Sequence, residues 1–115
     1  MSTRDIPKIT ASLAAPELLE AVNGVISLKN VPAQGMSYVV PEYEGMKEGH
    51  VVTARFGVDG DNNPFDFRFT VVRPASHTVL VPRQVLLELT GKKAVAVYWV
   101  ETGGLSLRTE VQVAH

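Results

Sequence analysis

From Val25 to Val113 the sequence is a series of short apolar or alternating runs, separated by turn residues at intervals of about ten residues. This spacing is typical of β-sandwiches and barrels, and no stretch after residue 24 keeps a convincing helical period. We therefore predict an all-β domain. The predicted strands are Val25–Leu28, Met36–Val40, Val51–Phe56, Phe65–Val72, Thr78–Val81, Ala94–Glu101 and Leu105–Val113.

The chain length of 115 residues fits one domain with one core. Residues 1–23 are predicted to be an extended lead-in or linker in which Lys8–Leu13 can pair as an edge strand, and residues 24–115 are predicted to be the sandwich. The segment Pro16–Gly24 fits either a single helical turn or a loop anchored by Leu18 and Leu19. Val85–Leu89 fits at most one helical turn.

The alternation in two strands predicts which side chains face the core. Phe65, Phe67 and Phe69 share one side of their strand and are predicted to be core residues. In the last strand we expect Leu105, Leu107, Val111 and Val113 to point inward, and Ser106, Arg108, Glu110 and Gln112 to face water. Gly103 and Gly104 are predicted to form a two-residue hairpin turn, because glycine tolerates positive φ.

The strand Ala94–Val100 is apolar on both sides, with Val95, Val97 and Trp99 on one of them. Such a strand is either covered on its outer side by the lead-in or loops of the same chain, or it belongs to an exposed contact patch. In the second case, Val95, Val97 and Trp99 would form a dimer or domain–domain interface.

A longer motif lies between the second and third predicted strands. Val40-Pro41-Glu42-Tyr43-Glu44-Gly45-Met46, followed by Gly49-His50 and an apolar run to Phe56, resembles the Val-Pro-x-Tyr-x-Gly-Met motif of bacterial immunoglobulin-like repeats. In those repeats Asp usually follows the glycine and Trp usually ends the strand, so His50 and Phe56 are departures. The resemblance extends over residues 24–113.

Such repeats occur in large surface and adhesin-like proteins of proteobacteria. The resemblance implies an immunoglobulin-like or fibronectin-like antiparallel sandwich of about seven strands. It also implies a role as a spacer or binding module. Fold alone does not specify function, since sandwiches carry many unrelated activities.

Composition and charge disfavour several functional classes. The net charge is −1, and the basic residues form no stripe with interleaved aromatics, so nucleic-acid binding is not expected. There is no apolar segment long enough for a membrane span. The chain has no cysteine, which excludes disulfides and thiolate metal sites. A full-length product with this amino terminus is expected to be cytoplasmic, whereas a fragment of a longer exported chain would leave the compartment open.

Motifs for metal binding and catalysis are incomplete. Asp59–Asn63 resembles the start of a calcium loop, but Pro64 and Thr70 occupy positions that need Gly and Glu, so a hairpin turn is favoured. His50 and His77 are predicted to be solvated loop residues, and no histidine spacing indicates a metal pair. No nucleophile motif is present. We expect neither enzymatic activity, nor a metal, nor a cofactor.

The remaining functional classes are binding and structure. We predict a non-catalytic module for protein–protein contact or for structural support, with a protein partner or a second copy of the chain. The alternative is a carbohydrate-binding sandwich in which Tyr38, Tyr43 or Trp99 would supply an aromatic platform.

Overall fold

The structure is a computed structural model that describes residue 6, residues 11–60 and residues 63–115. Within these residues it contains eight β-strands, one α-helix and one short 3-10 helix, Leu28–Asn30. The strands are β1 (Glu17–Leu18), β2 (Val25–Ser27), β3 (Met36–Val40), β4 (Val51–Gly57), β5 (Phe65–Thr70), β6 (His77–Val81), β7 (Lys93–Val100) and β8 (Thr109–Ala114). The helix α1 spans Arg83–Glu88.

Two sheets pack as a sandwich, as the spacing of the apolar runs predicts. One sheet has three strands in the order β1-β3-β6, and the other has five in the order β2-β8-β7-β4-β5. Neighbouring strands are antiparallel except for β2 and β8, which run parallel with Ile26 opposite Val113. The expectation of a purely antiparallel sandwich is therefore wrong at this edge, where a short strand joins the sheet beside the last one.

The core lies between the two sheets and follows the alternation of the sequence. Strand β3 contributes Met36, Tyr38 and Val40, while the residues between them are only half-buried. Strand β4 faces them with Val52, Ala54 and Phe56. Because side chains alternate along each strand, these period-two sets form one continuous apolar layer.

The lead-in crosses from one sheet to the other. Leu13 makes a parallel bridge with Ser106 beside the five-stranded sheet, and β1 then pairs with β3 in the three-stranded sheet. The Tyr98 hydroxyl donates to the Ala14 carbonyl at 2.7 Å, and the Thr109 hydroxyl donates to the Pro16 carbonyl at 2.6 Å. Residues 7–10, and with them half of the expected Lys8–Leu13 strand, lie outside the described residues.

Near its last turn the chain departs from the predicted pattern. Ser106, expected to face water, is fully buried, and Leu107, expected to point inward, is exposed. Alternation fails because the regular ladder between β7 and β8 stops at Ala96 and Thr109, and only an isolated bridge joins Trp99 to Leu105.

The hairpin at this turn is also longer than predicted. Val100 N–H donates to the Gly104 carbonyl at 2.9 Å, so Glu101, Thr102 and Gly103 form the loop instead of Gly103 and Gly104 alone. Gly103 has φ 113°, which suits a glycine at the end of a three-residue loop.

The helix α1 is a short connection between β6 and β7. Its six residues form more than one and a half turns, where at most one turn was expected, and Leu86 anchors it in the core. Among the described residues, no helix is long and apolar enough to cross a membrane.

Candidate functional site

The outer side of β7 is covered within the chain. Val95, Val97 and Trp99 are only 7%, 3% and 2% exposed. Cross-strand neighbours lie beside them, since Arg55 is opposite Val97 and Glu110 is opposite Val95. The Arg55 guanidinium lies 5.0 Å from the centre of the Trp99 ring. These three residues therefore display no exposed apolar patch, and the Arg55 side chain lies over one of them, Trp99. Their use as an interface stays a prediction.

The two tyrosines proposed as a sugar platform are buried as well. The Tyr38 hydroxyl donates to the Val97 carbonyl at 2.9 Å and so links the two sheets. Burial raises the pKa of Tyr38 well above 10.0, and a backbone hydrogen bond from Arg55 opposes that shift. The Tyr43 hydroxyl lies 2.9 Å from Nδ1 of His50. An exposed ring face is therefore offered by none of the three residues Tyr38, Tyr43 and Trp99.

Tyr98 is also buried, and it lies beside Tyr43. Their ring centroids are 6.0 Å apart, and burial, with Tyr43 as a second cause, raises the pKa of Tyr98 to about 12. Because its hydroxyl donates to the Ala14 carbonyl, Tyr98 holds the lead-in against the sandwich. These hydroxyl groups contribute to packing between segments of the chain.

The phenylalanines of β5 lie at an open edge of the sandwich. Phe65, Phe67 and Phe69 are opposite Phe56, Ala54 and Val52, so they point toward the core side, as predicted. Phe65 and Phe69 are nevertheless only partly buried, and Phe67 is 39% exposed. The prediction that all three are core residues is wrong, because β5 ends the five-stranded sheet and receives incomplete cover.

His77 lies opposite these rings at the end of the three-stranded sheet. Its ring stacks on Phe69 with centroids 3.9 Å apart and an interplanar angle of 9°. The Phe67 ring is 6.5 Å from His77 and 6.4 Å from Phe69. We call the four residues Phe65, Phe67, Phe69 and His77 the aromatic edge. His77 was predicted to be a solvated loop residue, and that prediction is wrong because the residue begins β6.

The environment of the aromatic edge is partly desolvated. Burial lowers the pKa of His77 below 6.5, since the charged imidazolium would lose water there. A groove of about 270 Å³ adjoins Phe69 and His77 and is also lined by Met46, Val72 and Arg73. The site thus combines aromatic faces with one titratable ring.

Two ion pairs lie on the opposite face of β5. Arg55 donates to both carboxylate oxygens of Asp66, from Nε at 2.8 Å and from a terminal nitrogen at 2.9 Å. Arg68 donates to Glu101 at 3.1 Å. The Arg68 side chain is 60% exposed and is therefore the more available charge of the strand. Strand β5 thus has an aromatic inner face and a charged outer face.

The possible calcium turn contains an ion pair. Asp59 pairs with Arg108 at 2.8 Å, while residues 61 and 62 of the turn lie outside the described residues. Among the residues that the structure describes, no group of three or more acidic or histidine side chains could hold a metal ion.

Sequence reasoning identified the alternation of β5 but missed the aromatic edge. The pattern Phe65-Asp66-Phe67-Arg68-Phe69 shows which residues share a face, and it carries no information on whether another strand lies beside them. His77 gave no signal of its own, because its stacking on Phe69 depends on how the two sheets meet.

In comparisons with known proteins, no family model, no curated protein and no solved structure matches the chain. The bacterial immunoglobulin-like repeat therefore stays a resemblance of motif.

Proposed function

We propose that this domain is a non-catalytic immunoglobulin-like module for structural support and protein–protein contact, and that it makes contact through the aromatic edge. The single observation that carries the proposal is the incomplete cover of Phe67 at the end of a sheet, where the ring is 39% exposed. Aromatic side chains are enriched at protein interfaces because they bury a large area with few rotatable bonds.

The contrast with the other aromatic residues supports this choice of surface. The core accommodates several aromatic rings that are at most 2% exposed, namely those of Tyr38, Tyr98, Phe56 and Trp99. The rings of β5 remain partly exposed, and one of them, Phe69, adjoins a groove that a partner side chain could fill. A contact there would complete the burial that the second sheet leaves unfinished.

A photo-crosslinking experiment tests the proposal. A benzophenone amino acid is placed at Phe67 in one variant and at Leu107 in another, and both are expressed in the cells that produce the protein. Leu107 is a matched control because it is 53% exposed but lies beyond β7, away from the aromatic edge. We expect protein adducts from position 67 and not from position 107. Equal or absent labelling at the two positions would overturn the proposal.

Carbohydrate binding is the competing function, and Phe67 of the aromatic edge is where a partly exposed ring could stack on a sugar. A glycan array with the native chain and Phe67→Ala separates the two functions. Sugar binding that is lost in Phe67→Ala, without protein adducts at position 67, would favour the carbohydrate module. The protein-contact proposal predicts no glycan signal that depends on Phe67.

A further inference from the structure

Strand β5 leaves one side of its backbone open. It ends the five-stranded sheet, and no strand pairs with its outer edge within residues 11–60 and 63–115. The Glu101 N–H bonds to the Val51 carbonyl, and the Val71 N–H bonds to the His50 carbonyl. Backbone groups of successive residues in a strand point alternately to its two neighbours. These two bonds therefore show which residues of β4 bond to β7 and which bond to β5.

With this phase, the odd-numbered residues of β5 bond to β4. Phe65, Phe67 and Phe69 direct their N–H and C=O groups toward β4, and Asp66 and Arg68 direct theirs toward the open side. An unpaired edge of this kind is a template for another strand.

The sequence of β5 is self-complementary about Phe67. Phe65 and Phe69 lie at equal distances on either side of it, and so do the opposite charges Asp66 and Arg68. When two copies pair antiparallel about a two-fold axis at Phe67, each Asp66 lies opposite an Arg68 of the other copy. A two-fold axis at Asp66 or at Arg68 would instead place like charges together.

We propose that two copies of the domain form a symmetric dimer by antiparallel pairing of β5 with β5, centred on Phe67. The proposal rests on the function proposed above and names its partner as a second copy of the chain. The open backbone groups of Asp66 then bond to those of Arg68 in the other copy, and the two five-stranded sheets become continuous.

The charges on the outer face fit this arrangement. In each copy Arg68 already pairs with Glu101, and Asp66 already pairs with Arg55. Dimerisation places Arg68 beside Asp66 of the other copy. The side-chain charges then alternate in sign across the joint, in the order Glu101 and Arg68 of one copy followed by Asp66 and Arg55 of the other. Like charges opposite each other across the joint would oppose pairing, whereas this register places opposite charges together.

The aromatic face fits as well. The two Phe67 residues form a non-hydrogen-bonded pair at the two-fold axis, where the closest side-chain approach occurs. Each exposed Phe67 ring gains an aromatic neighbour, and Phe65 lies opposite Phe69 of the other copy. Pro64 limits the pairing at one end, because it has no N–H to donate.

Charge reversal on the full chain tests the register. Sedimentation is measured up to about 1 mM protein for the native chain, Arg68→Asp, Asp66→Arg and an equimolar mixture of the two variants. We expect a concentration-dependent dimer of the native chain and dissociation constants at least about tenfold larger for each variant alone. The mixture should form a heterodimer, because each Asp then lies opposite an Arg again.

A second measurement remains informative if Asp66→Arg fails to fold without its Arg55 partner. The chain has no cysteine, so Phe67→Cys introduces a single thiol at the proposed two-fold axis. Mild oxidation should give a disulfide-linked dimer, since non-hydrogen-bonded pairs bring the two β-carbons close enough. The control Leu107→Cys, also exposed, should link much more slowly.

Two results would overturn this inference. One is a native chain that stays monomeric up to about 1 mM. The other is a dimer that neither weakens in Arg68→Asp nor links through Phe67→Cys, because it would then use another surface. The proposed function would survive either result if Phe67 still crosslinks to a different protein in cells, and it would fail separately if no protein is labelled.

Discussion

The imidazole of His77 lies nearly parallel to the phenyl ring of Phe69, with centroids 3.9 Å apart. This stack joins the last strand of one sheet to the last strand of the other, and burial there lowers the pKa of His77 below 6.5. The folded state therefore binds a proton at His77 less readily than the unfolded state does.

This difference predicts a stability that depends on pH. Neutral His77 makes its full contribution to the free energy of unfolding above the unfolded pKa of about 6.5. This contribution is lost as the pH falls toward and through the lowered pKa of the folded state. We expect the free energy of unfolding to fall less between about pH 7.5 and pH 5 in His77→Phe than in the native chain. Urea denaturation at both pH values measures the difference, and equal falls in the two proteins would contradict it.

Removal of the Tyr38 hydroxyl is expected to lower the free energy of unfolding. Its hydrogen bond to the Val97 carbonyl lies in the core between the sheets, where water cannot replace it. Tyr38→Phe should therefore lower the free energy of unfolding by about 1–2 kcal/mol. Tyr43→Phe is the matched control, because its partner His50 is only half-buried and can bond to water. A cost for Tyr43→Phe equal to that for Tyr38→Phe would argue against the inter-sheet bond.

Much of the fold follows from local pattern. The predicted strand Met36–Val40 matches β3, and Val51–Phe56 differs from β4 by one residue, because apolar residues at every second position and flanking turn residues define both. The sandwich class follows from the same spacing. These features depend on residues close in sequence, which is why sequence reasoning reaches them.

The errors concern relationships between distant segments. Phe67 has the sequence signature of a core residue, and its exposure results from the position of β5 at the end of a sheet. The sequence pattern predicts that Ser106 faces solvent. Its hydroxyl instead accepts a hydrogen bond from the Tyr98 N–H at 2.9 Å, where the ladder between β7 and β8 is interrupted. Strand order and ladder interruptions are set by long-range pairing, so alternation alone does not reveal them.

Thr53 provides a prediction of increased stability. Its hydroxyl is buried and has no hydrogen-bond partner among the described residues, although it lies opposite the buried Trp99. Thr53→Val keeps the side-chain shape and removes the unpaired hydroxyl, so we expect the free energy of unfolding to rise by about 1 kcal/mol. Thr78→Val, at an exposed position of β6, should change it by less than about 0.5 kcal/mol. Thermal and urea unfolding of both variants would show whether burial makes this difference.

Gly35 and Gly45 separate the effect of a positive φ from the effect of a close backbone contact. Both have positive φ, at 120° and 83°, so alanine is strained at either position. A Cβ at Gly35 would also overlap the Val81 carbonyl oxygen at the end of β6, whereas a Cβ at Gly45 meets no atom within 4 Å.

Gly45→Ala should therefore cost about 1–2 kcal/mol, which is the conformational penalty alone. Gly35→Ala must in addition push β3 away from β6, and we expect its cost to exceed that of Gly45→Ala by at least about 2 kcal/mol. Urea denaturation of the two variants gives both values. Similar costs would mean that the turn before β3 can move away from Val81, and that the close approach of the two strands is not required for the three-stranded sheet.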